Sequence, residues 1–274
     1  MKDLRVVLLF ALLVACVPVL TGSGVALNFV MTALYACLLA QAWNILGGFG
    51  GQFSFGHALF FGTGAYTQVI LQLQFHVNAW FALPLAMGSS ALVGAWVGAL
   101  SFRYGLKGSY FALVTLAFAE VFRIVALSVP FTGAGVGLML PLQSTARAIG
   151  VNPLRVKLVA TIISGALMGA GGAFYVQVFQ YIDPGIAYGP HTSVEALVGA
   201  IVGGMGTLWG PVVGALALHV LADLTRNLFG ELPGINMMIY GAVLVLIVMF
   251  LPRGIAGSGV SIRTAWQRWT GRPS

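Results

Sequence analysis

Charged side chains are scarce in this sequence. Asp, Glu, Lys and Arg make up 7% of its 274 residues, whereas hydrophobic residues make up 59%. A soluble domain has about 25% charged residues, so this composition excludes an ordinary soluble protein and predicts a membrane protein with several spans. The formal net charge of +7 does not indicate nucleic-acid binding, because the basic residues are scattered at the ends of apolar runs, as the positive-inside rule describes.

Cysteine and catalytic motifs are also scarce. The two cysteines, Cys16 and Cys37, both lie in apolar runs, which argues against a disulfide framework or a cysteine metal site. The four histidines do not stand at metal-ligand spacing, so no metal site is predicted. The sequence has no G-x-x-x-x-G-K-[ST] phosphate-binding motif, no G-x-S-x-G and no H-E-x-x-H. The chain is therefore predicted to be neither an ATPase nor another enzyme, and to hold no cofactor itself.

Apolar runs near the length of a membrane span, about 20 residues, recur along the whole chain. They predict an all-α polytopic transmembrane helix bundle with roughly 8 to 9 spans or broken spans. The predicted spans are 4–21, 25–46, 55–75, 79–102, 108–131, 158–180, 193–205, 209–224 and 235–252. The first could also be a signal peptide, although a retained span is favoured. We expect residues 1–274 to form a single transmembrane domain, with residues 253–274 as a basic cytoplasmic tail.

Two glycine-rich segments interrupt the apolar pattern. Residues 47–66 read GGFGGQFSFGHALFFGTGAY, and residues 193–224 form two short runs joined by GGMGTLWGP. Glycine lets a helix break, and broken helices in membranes lie against protein or a water-filled cavity. ILGGFG (45–50) matches IVGGMG (201–206), which favours an internal repeat with breaks at matching positions. The predicted helix-break or gate residues are Gly47, Gly48, Gly50, Gly51, Gly203, Gly204 and Gly206.

Polar side chains accompany the first break. Gln52, Ser54 and His57 are predicted either to line a translocation path or to form a hydrogen-bonded cluster in a glycine-rich packing seam. His57 could relay protons, but no acidic residue lies in the same segment, so a buried hydrogen bond is favoured. Trp43, Trp80, Trp96 and Trp209 stand near predicted span ends, as interfacial aromatic residues do.

Glu120 and Arg123 lie within one predicted span, three residues apart, so they are expected to share a helix face and to pair. The pair could hold the bundle together or contact a substrate, and Arg123 could instead extend toward the lipid headgroups.

Three ordered blocks resemble LivM-type permeases, which are subunits of ABC importers for branched-chain amino acids. The blocks are QAWNILGGFGGQFSFGHALFFGTGAY (41–66), LKGSYFALVTLAFAEVFRIV (106–125) and SVEALVGAIVGGMGTLWGPVVGA (193–215). The resemblance implies a bacterial inner-membrane, multi-pass permease for leucine, isoleucine and valine or related small solutes. It also implies a second related permease, two cytoplasmic ATPase subunits that bind the ATP, a periplasmic substrate-binding protein, and contact with membrane lipid.

The predicted topology is inconsistent by one crossing between Thr132 and Ser144. Placing Lys2 and Arg5 in the cytoplasm puts the fifth span's end outside, whereas the basic residues from Arg147 onward require the cytoplasm. By comparison with the family, we infer a deletion between Gln143 and Ser144 that removes about one span and most of the coupling helix. Arg147 and Gly150 would be its remnant. A miscounted re-entrant segment is the alternative.

Three other functions remain open at this stage: an ion-coupled carrier or channel acting alone, a membrane enzyme with His57 as base, and a truncated, uncoupled permease.

Overall fold

A computed structural model describes residues 24–106, 108–129, 138–139, 154–229, 238–239, 241–242, 245 and 254–255. The helices are α1 (Gly24–Asn44), α2 (His57–Leu73), α3 (Ala79–Arg103), α4 (Ser109–Ser128), α5 (Leu154–Phe179), α6 (Pro184–Tyr188), α7 (Pro190–Gly203) and α8 (Gly210–Phe229), with two short strands, β1 (Leu138–Met139) and β2 (Tyr181–Ile182). The predicted helical bundle is confirmed. The span 4–21, the tail 253–274 apart from residues 254–255, and the remnant residues Arg147 and Gly150 lie outside the described residues.

Four helical segments in the described part of the chain are long and apolar enough to cross a membrane. They are Gly24–Phe49, Ala79–Arg103, Ser109–Ser128 and Leu158–Phe179. The first is α1 continued by one π-helical segment, Ile45–Phe49. The glycine-rich segment 47–66 interrupts the helices only in its first part: the chain is irregular before His57, and α2 then continues without a break to Leu73. Gly62 and Gly64 instead serve packing, because a Cβ at Gly64 would lie 2.3 Å from the Gly169 carbonyl oxygen.

Helix α5 lies at the centre of the bundle, between α2 and α3. Residues Gly94 and Thr161 are in contact near one end of the α3–α5 interface, and Ala86 and Gly169 near the other, so the two helices are antiparallel. Helix α2 runs parallel to α5, because Gly64 packs on Gly169 and Phe60 on Gly165, whereas α1 runs antiparallel to α5. Small residues at these crossings let the backbones approach closely, which is how membrane helices gain packing energy without a hydrophobic driving force.

Helices α7 and α8 form an antiparallel pair against α1. Their glycines face each other, and a Cβ at Gly214 would lie 2.1 Å from the Gly199 carbonyl oxygen. Helix α7 is parallel to α1, since Ala40 lies beside Gly199 and Gly48 beside Gly206. The turn between α7 and α8 is therefore at the same end of the bundle as the π-helical segment. The predicted joined pair is present, and α7 is short with 14 residues, whereas α8 has 20 residues and is longer than predicted.

Helices α4 and α5 run in the same direction. Phe102 stacks on Phe111 and Trp96 meets Phe118 edge to face, so α4 is antiparallel to α3 and thus parallel to α5. Strand β1, which follows α4, pairs with β2 beyond the end of α5, and Met139 lies opposite Tyr181. Helix α5 has 26 residues, so its first turn lies about 39 Å from β1. The chain must cover that distance between Met139 and Leu154, where the sequence predicts a missing crossing.

Trp43 differs from its predicted position at the membrane interface. Its side chain is fully buried, and its indole Nε1 donates a hydrogen bond to the Ser54 carbonyl oxygen at 2.8 Å. The prediction is wrong because Trp43 faces the irregular segment before α2, which shields it from lipid. Trp80 and Trp96 remain about half exposed.

Candidate translocation site

The two predicted helix breaks meet in the structure. The fully buried Asn44 joins them: its Oδ1 accepts a hydrogen bond from the Gly206 amide at 2.8 Å, and its Nδ2 donates to the Thr207 carbonyl oxygen at 2.9 Å. One side chain therefore satisfies a donor and an acceptor of the α7–α8 turn. We call this contact of residues 44–48 with residues 204–208 the break junction.

Close packing and a second amide complete the break junction. A Cβ at Gly48 would lie 2.4 Å from the Gly206 nitrogen, so no larger residue fits there without a shift. Gln41 Nε2 donates to the Leu208 carbonyl oxygen at 2.5 Å. Gly206 itself has a φ of 72°, a conformation that favours glycine. The junction thus joins polar backbone groups of two interrupted helices at one end of the bundle.

The turn after α7 has its own hydrogen bonds. Thr207 Oγ1 donates to the Gly204 carbonyl oxygen at 2.8 Å and accepts from the Gly210 amide at 2.9 Å. Gly204 ends α7 with a φ of 120°. These contacts fix the turn as a compact unit.

The polar residues of the first break are buried. Ser54 and His57 have no exposed surface and Gln52 has 4%. His57 Nε2 lies 2.8 Å from Ser164 Oγ, which donates to the Ala42 carbonyl oxygen at 2.6 Å. Ser164 therefore accepts from His57, and the Nε2–H tautomer is assigned from this network. The imidazole links α2 with α5 and, through Ser164, with α1.

Gln52 and Ser54 also make local contacts. Ser54 Oγ donates to Thr115 Oγ1 of α4 at 3.2 Å, and Gln52 Nε2 donates to the Gly51 carbonyl oxygen at 3.0 Å. Gly51 has a φ of 62°, as expected for a glycine at a break. The three predicted path residues are therefore buried, each with its own hydrogen-bond partner, and their role in translocation stays a prediction.

The predicted pair of Glu120 and Arg123 is present on α4. Arg123 Nε donates to Glu120 Oε2 at 2.9 Å, and Arg123 Nη2 contacts Oε1 at 2.5 Å. The Glu120 side chain is 48% exposed and the Arg123 side chain is 32% exposed. The pair joins residues of one helix and lies on its outer side, away from the break junction.

Two functional candidates escaped the sequence analysis. Glu195 of α7 and His219 of α8 line a cleft whose other walls are Ala36, Val198, Gly199, Ala215 and Leu218. Glu195 carried the signal that would have found it, since it is an acidic residue within the predicted span 193–205. Its relation to His219 depends on how α7 and α8 pack. Within the described ranges, no group of three or more His, Cys, Asp or Glu residues could hold a metal ion.

Comparisons with known proteins identify the family. Residues 25–137 and 143–248 match the family described as "Branched-chain amino acid transport system / permease component". The chain is 26% identical to LivM of Salmonella typhimurium and 25% identical to LivM of Escherichia coli, both named high-affinity branched-chain amino acid transport system permease proteins. Each alignment covers 90% of this chain and 74% of the relative.

A shorter match covers 41% of this chain and 35% of LivH of Salmonella typhimurium, at 27% identity. No solved structure matches. The family match covers most of the sequence and agrees with the apolar helical bundle. The matched family is a transport component and not an enzyme. This chain therefore belongs to the permease components of branched-chain amino acid transport systems.

Proposed function

We propose that this chain is one permease subunit of an ABC importer in a bacterial inner membrane, and that it forms part of the translocation path for leucine, isoleucine and valine. The proposed partners are a second related permease, two cytoplasmic ATPases that bind ATP, and a periplasmic substrate-binding protein. The family match over residues 25–137 and 143–248 carries the proposal. The additional similarity to LivH supports a related partner of similar fold.

The break junction supports a gate in this path. Transporters place interrupted helices beside their substrate sites, and motion of one helix group against another changes access. Here Gly48 and Gly206 bring two interruptions into contact. Arg103 ends α3 at the same end of the bundle, so the positive-inside rule assigns this end to the cytoplasm. We propose that separating residues 44–48 from residues 204–208 opens the path toward the cytoplasm.

The buried cluster lies directly behind that gate. The Trp43 indole donates to the Ser54 carbonyl oxygen, and the Ala58 amide donates to Ser193 Oγ of α7 at 2.7 Å. The Gln52 amide donates to the Leu46 carbonyl oxygen at 3.0 Å, so movement at the break junction reaches this segment through a direct contact. We propose that this segment holds the gate in register during transport, and contacts the solute when the gate is open.

Reconstituted uptake tests the proposal. The tagged chain is co-expressed with the neighbouring permease, the two ATPases and the binding protein, purified in mild detergent and placed in liposomes. We expect the other membrane and ATPase subunits to co-purify, and ATP to drive uptake of radiolabelled leucine. Uptake that persists without ATPase would instead support the ion-coupled carrier. Purification of the chain alone, without ATP-driven uptake, would contradict the proposal.

A second candidate, a truncated permease uncoupled from ATP, is favoured by the parallel course of α4 and α5. The family match is interrupted at residues 138–142. The LivM alignment runs over 322 positions, more than the 274 residues of this chain, so the relative has residues that this chain lacks. These observations support a deletion near Gln143. Under this candidate, the partner permease co-purifies and the ATPases do not.

A further inference from the structure

We infer that the outer face of α4 is the surface on which the second permease subunit docks, with the pair of Glu120 and Arg123 at the centre of the contact. The inference rests on the proposed function and names the helix that the partner covers. Exposed residues at helical spacings of three and four form this face, which we call the outer stripe. They are Leu113, Leu116, Glu120, Ile124 and Leu127.

The opposite face of α4 packs on the bundle. Phe111, Thr115 and Ala119 are buried there, whereas Leu113 is 60% exposed and Ile124 is 52% exposed. Exposed apolar side chains alone would suit lipid as well as protein, because lipid tails are as apolar as leucine. The charged pair distinguishes the two, since charged groups at membrane depth are costly in lipid.

The pair lies near the middle of the membrane. Phe118 meets Trp96 of the antiparallel helix α3. Continued by five residues, this register places Arg123 level with about residue 91, the middle of the span Ala79–Arg103. Either end of that span is about 18 Å away, because each helical residue rises about 1.5 Å. That distance is longer than an arginine side chain, so the pair does not reach the headgroups.

The pair uses only part of its hydrogen-bonding capacity. A guanidinium has five N–H donors, and a carboxylate has about four acceptor sites. Two hydrogen bonds join Arg123 to Glu120, so about three donors and two acceptor sites have no partner among the described residues. Lipid hydrocarbon supplies neither donors nor acceptors. We therefore expect a polar contact from another protein segment over the outer stripe.

The other apolar segments of this chain attach to different helices. The predicted span 4–21 is joined to α1 at Gly24 by two residues. The predicted span 235–252 is followed by Gly254, which packs on Gly204 at the end of α7. Helices α1, α7 and α8 contact one another, whereas α4 contacts α2, α3 and α6. The outer stripe is therefore available to a second protein.

Only a membrane-spanning subunit can reach the middle of α4. In the proposed importer the ATPases lie in the cytoplasm and the binding protein in the periplasm, so the second permease is the remaining component. We expect it to present a helix with small or apolar residues against Leu116 and Ile124. Opposite Glu120 and Arg123 it should carry an amide, a hydroxyl or a charged group, because such groups join helices within membranes.

Site-specific photo-crosslinking in the assembled complex tests the surface. The tagged chain carries p-benzoylphenylalanine in place of Ile124, is co-expressed with the neighbouring permease, the ATPases and the binding protein, and is illuminated in native membranes. Val220 is the matched control position, because it lies at the middle of α8 and is 45% exposed. We expect mass spectrometry to identify an adduct with the second permease from position 124 and not from position 220.

Variants then assign the contact to the charged pair. Glu120→Leu combined with Arg123→Leu removes both charges, so no lone charge remains in the membrane. We expect this double variant to insert, and recovery of the second permease in mild detergent to fall about threefold or more, the worth of one interhelical hydrogen bond in a membrane. Glu120→Gln combined with Arg123→Gln keeps donors and acceptors, and should retain more of the partner.

The outcomes separate the surface from the proposed function. Three results from position 124 would overturn the surface: an adduct with lipid alone, with another copy of this chain, or with another segment of the same chain. Equal adducts at both positions, or unchanged partner recovery in the leucine variant, would also overturn it. ATP-driven uptake would still support the permease in those cases. Failure to recover the second permease with the unchanged chain, without uptake, would overturn both.

Discussion

Asn44 Oδ1 accepts a hydrogen bond from the Gly206 amide at 2.8 Å, across 162 residues of sequence. The same side chain donates to Thr207, so one amide closes the contact between two interrupted helices. Asn44 is fully buried, whereas its partners Gly206 and Thr207 lie in an exposed turn. The contact therefore gives a direct way to alter the proposed gate without touching the cleft.

Asn44→Ala should destabilise the fold and lower leucine uptake. The substitution removes the hydrogen bonds to the Gly206 amide and the Thr207 carbonyl oxygen, and each such bond contributes about 0.5–1.5 kcal/mol to stability. Unfolding in detergent measures the loss, and reconstituted uptake measures the function. Asn28→Ala is the matched control, because Asn28 lies at the exposed start of the same helix. Equal stability of the two variants would contradict the role of Asn44.

Gly48→Ala should disturb the break junction by steric overlap. The new Cβ would lie 2.0 Å from Asn44 Oδ1 and 2.4 Å from the Gly206 nitrogen. We expect a loss of about 1–3 kcal/mol in the free energy of unfolding, as for overpacked interiors. Gly88→Ala in α3 is the control, since its Cβ would meet no atom within 4 Å. If both alanines are tolerated equally, the two breaks are not held in contact.

His57→Ala and Gln52→Ala should each lower uptake while the protein still inserts into the membrane. His57 is the more sensitive position, because its removal leaves a ring-sized cavity and takes a donor from Ser164; large-to-small changes in cores cost about 2–5 kcal/mol. Combining His57→Ala with Ser164→Ala measures their coupling by a double-mutant cycle. Additive effects would show that the hydrogen bond contributes little.

Unchanged uptake in both single variants would leave the segment with a packing role alone. Uptake that falls in proportion to stability would point the same way. A fall in uptake at unchanged stability, in contrast, would support contact with the solute.

Removing one charge of the Glu120–Arg123 pair on α4 should reduce the amount of protein in the membrane more than removing both charges. In Glu120→Gln, Arg123 loses its bidentate partner at membrane depth, and lone charges there are expensive. We expect less of this variant in the membrane than of the double variant Glu120→Gln with Arg123→Gln, which removes both charges. Quantitative immunoblotting of membranes measures the difference. The reverse order would show that Arg123 reaches the headgroups and needs no partner.

Inserting a span and coupling helix between Gln143 and Ser144, where the sequence predicts a deletion, should increase co-purification of the ATPases. The physical reason is topological, because Met139 lies beyond the last turn of α5 and Leu154 begins its first turn. The 14 residues between them would cover about 21 Å as a helix, which is less than the membrane core of about 30 Å. An inserted Gly/Ser segment of equal length is the control. No gain over that control would remove the support for a functional deletion.

Local features were predictable from the sequence, whereas their meetings in space were not. The pair of Glu120 and Arg123 follows from a spacing of three within one helix. The breaks at Gly48 and Gly206 follow from glycine content, but their contact depends on the parallel course of α1 and α7. Trp43 was misplaced because a tryptophan near a span end looks interfacial until another segment covers it.

The cleft shows the same limit. Glu195 was visible as an acidic residue in an apolar run, and His219 as an isolated histidine. Neither had a partner in sequence, since they lie on different helices. The antiparallel packing of α7 on α8, made possible by Gly199 and Gly214, brings the two residues into one space. Composition predicts a bundle, but interhelical packing decides which polar groups share a cavity.

The hydrogen bond between Asn44 and Gly206 also has a consequence for the order in which the helices are synthesised and inserted. Asn44 emerges from the ribosome 162 residues before its partner, which at 5–20 residues per second is about 10–30 s. During that interval the Asn44 side chain enters the membrane before Gly206, its hydrogen-bond donor, has been synthesised. We therefore expect a newly inserted α1 to remain beside the insertion machinery, or to hydrogen-bond another polar group, until the second interrupted helix is inserted.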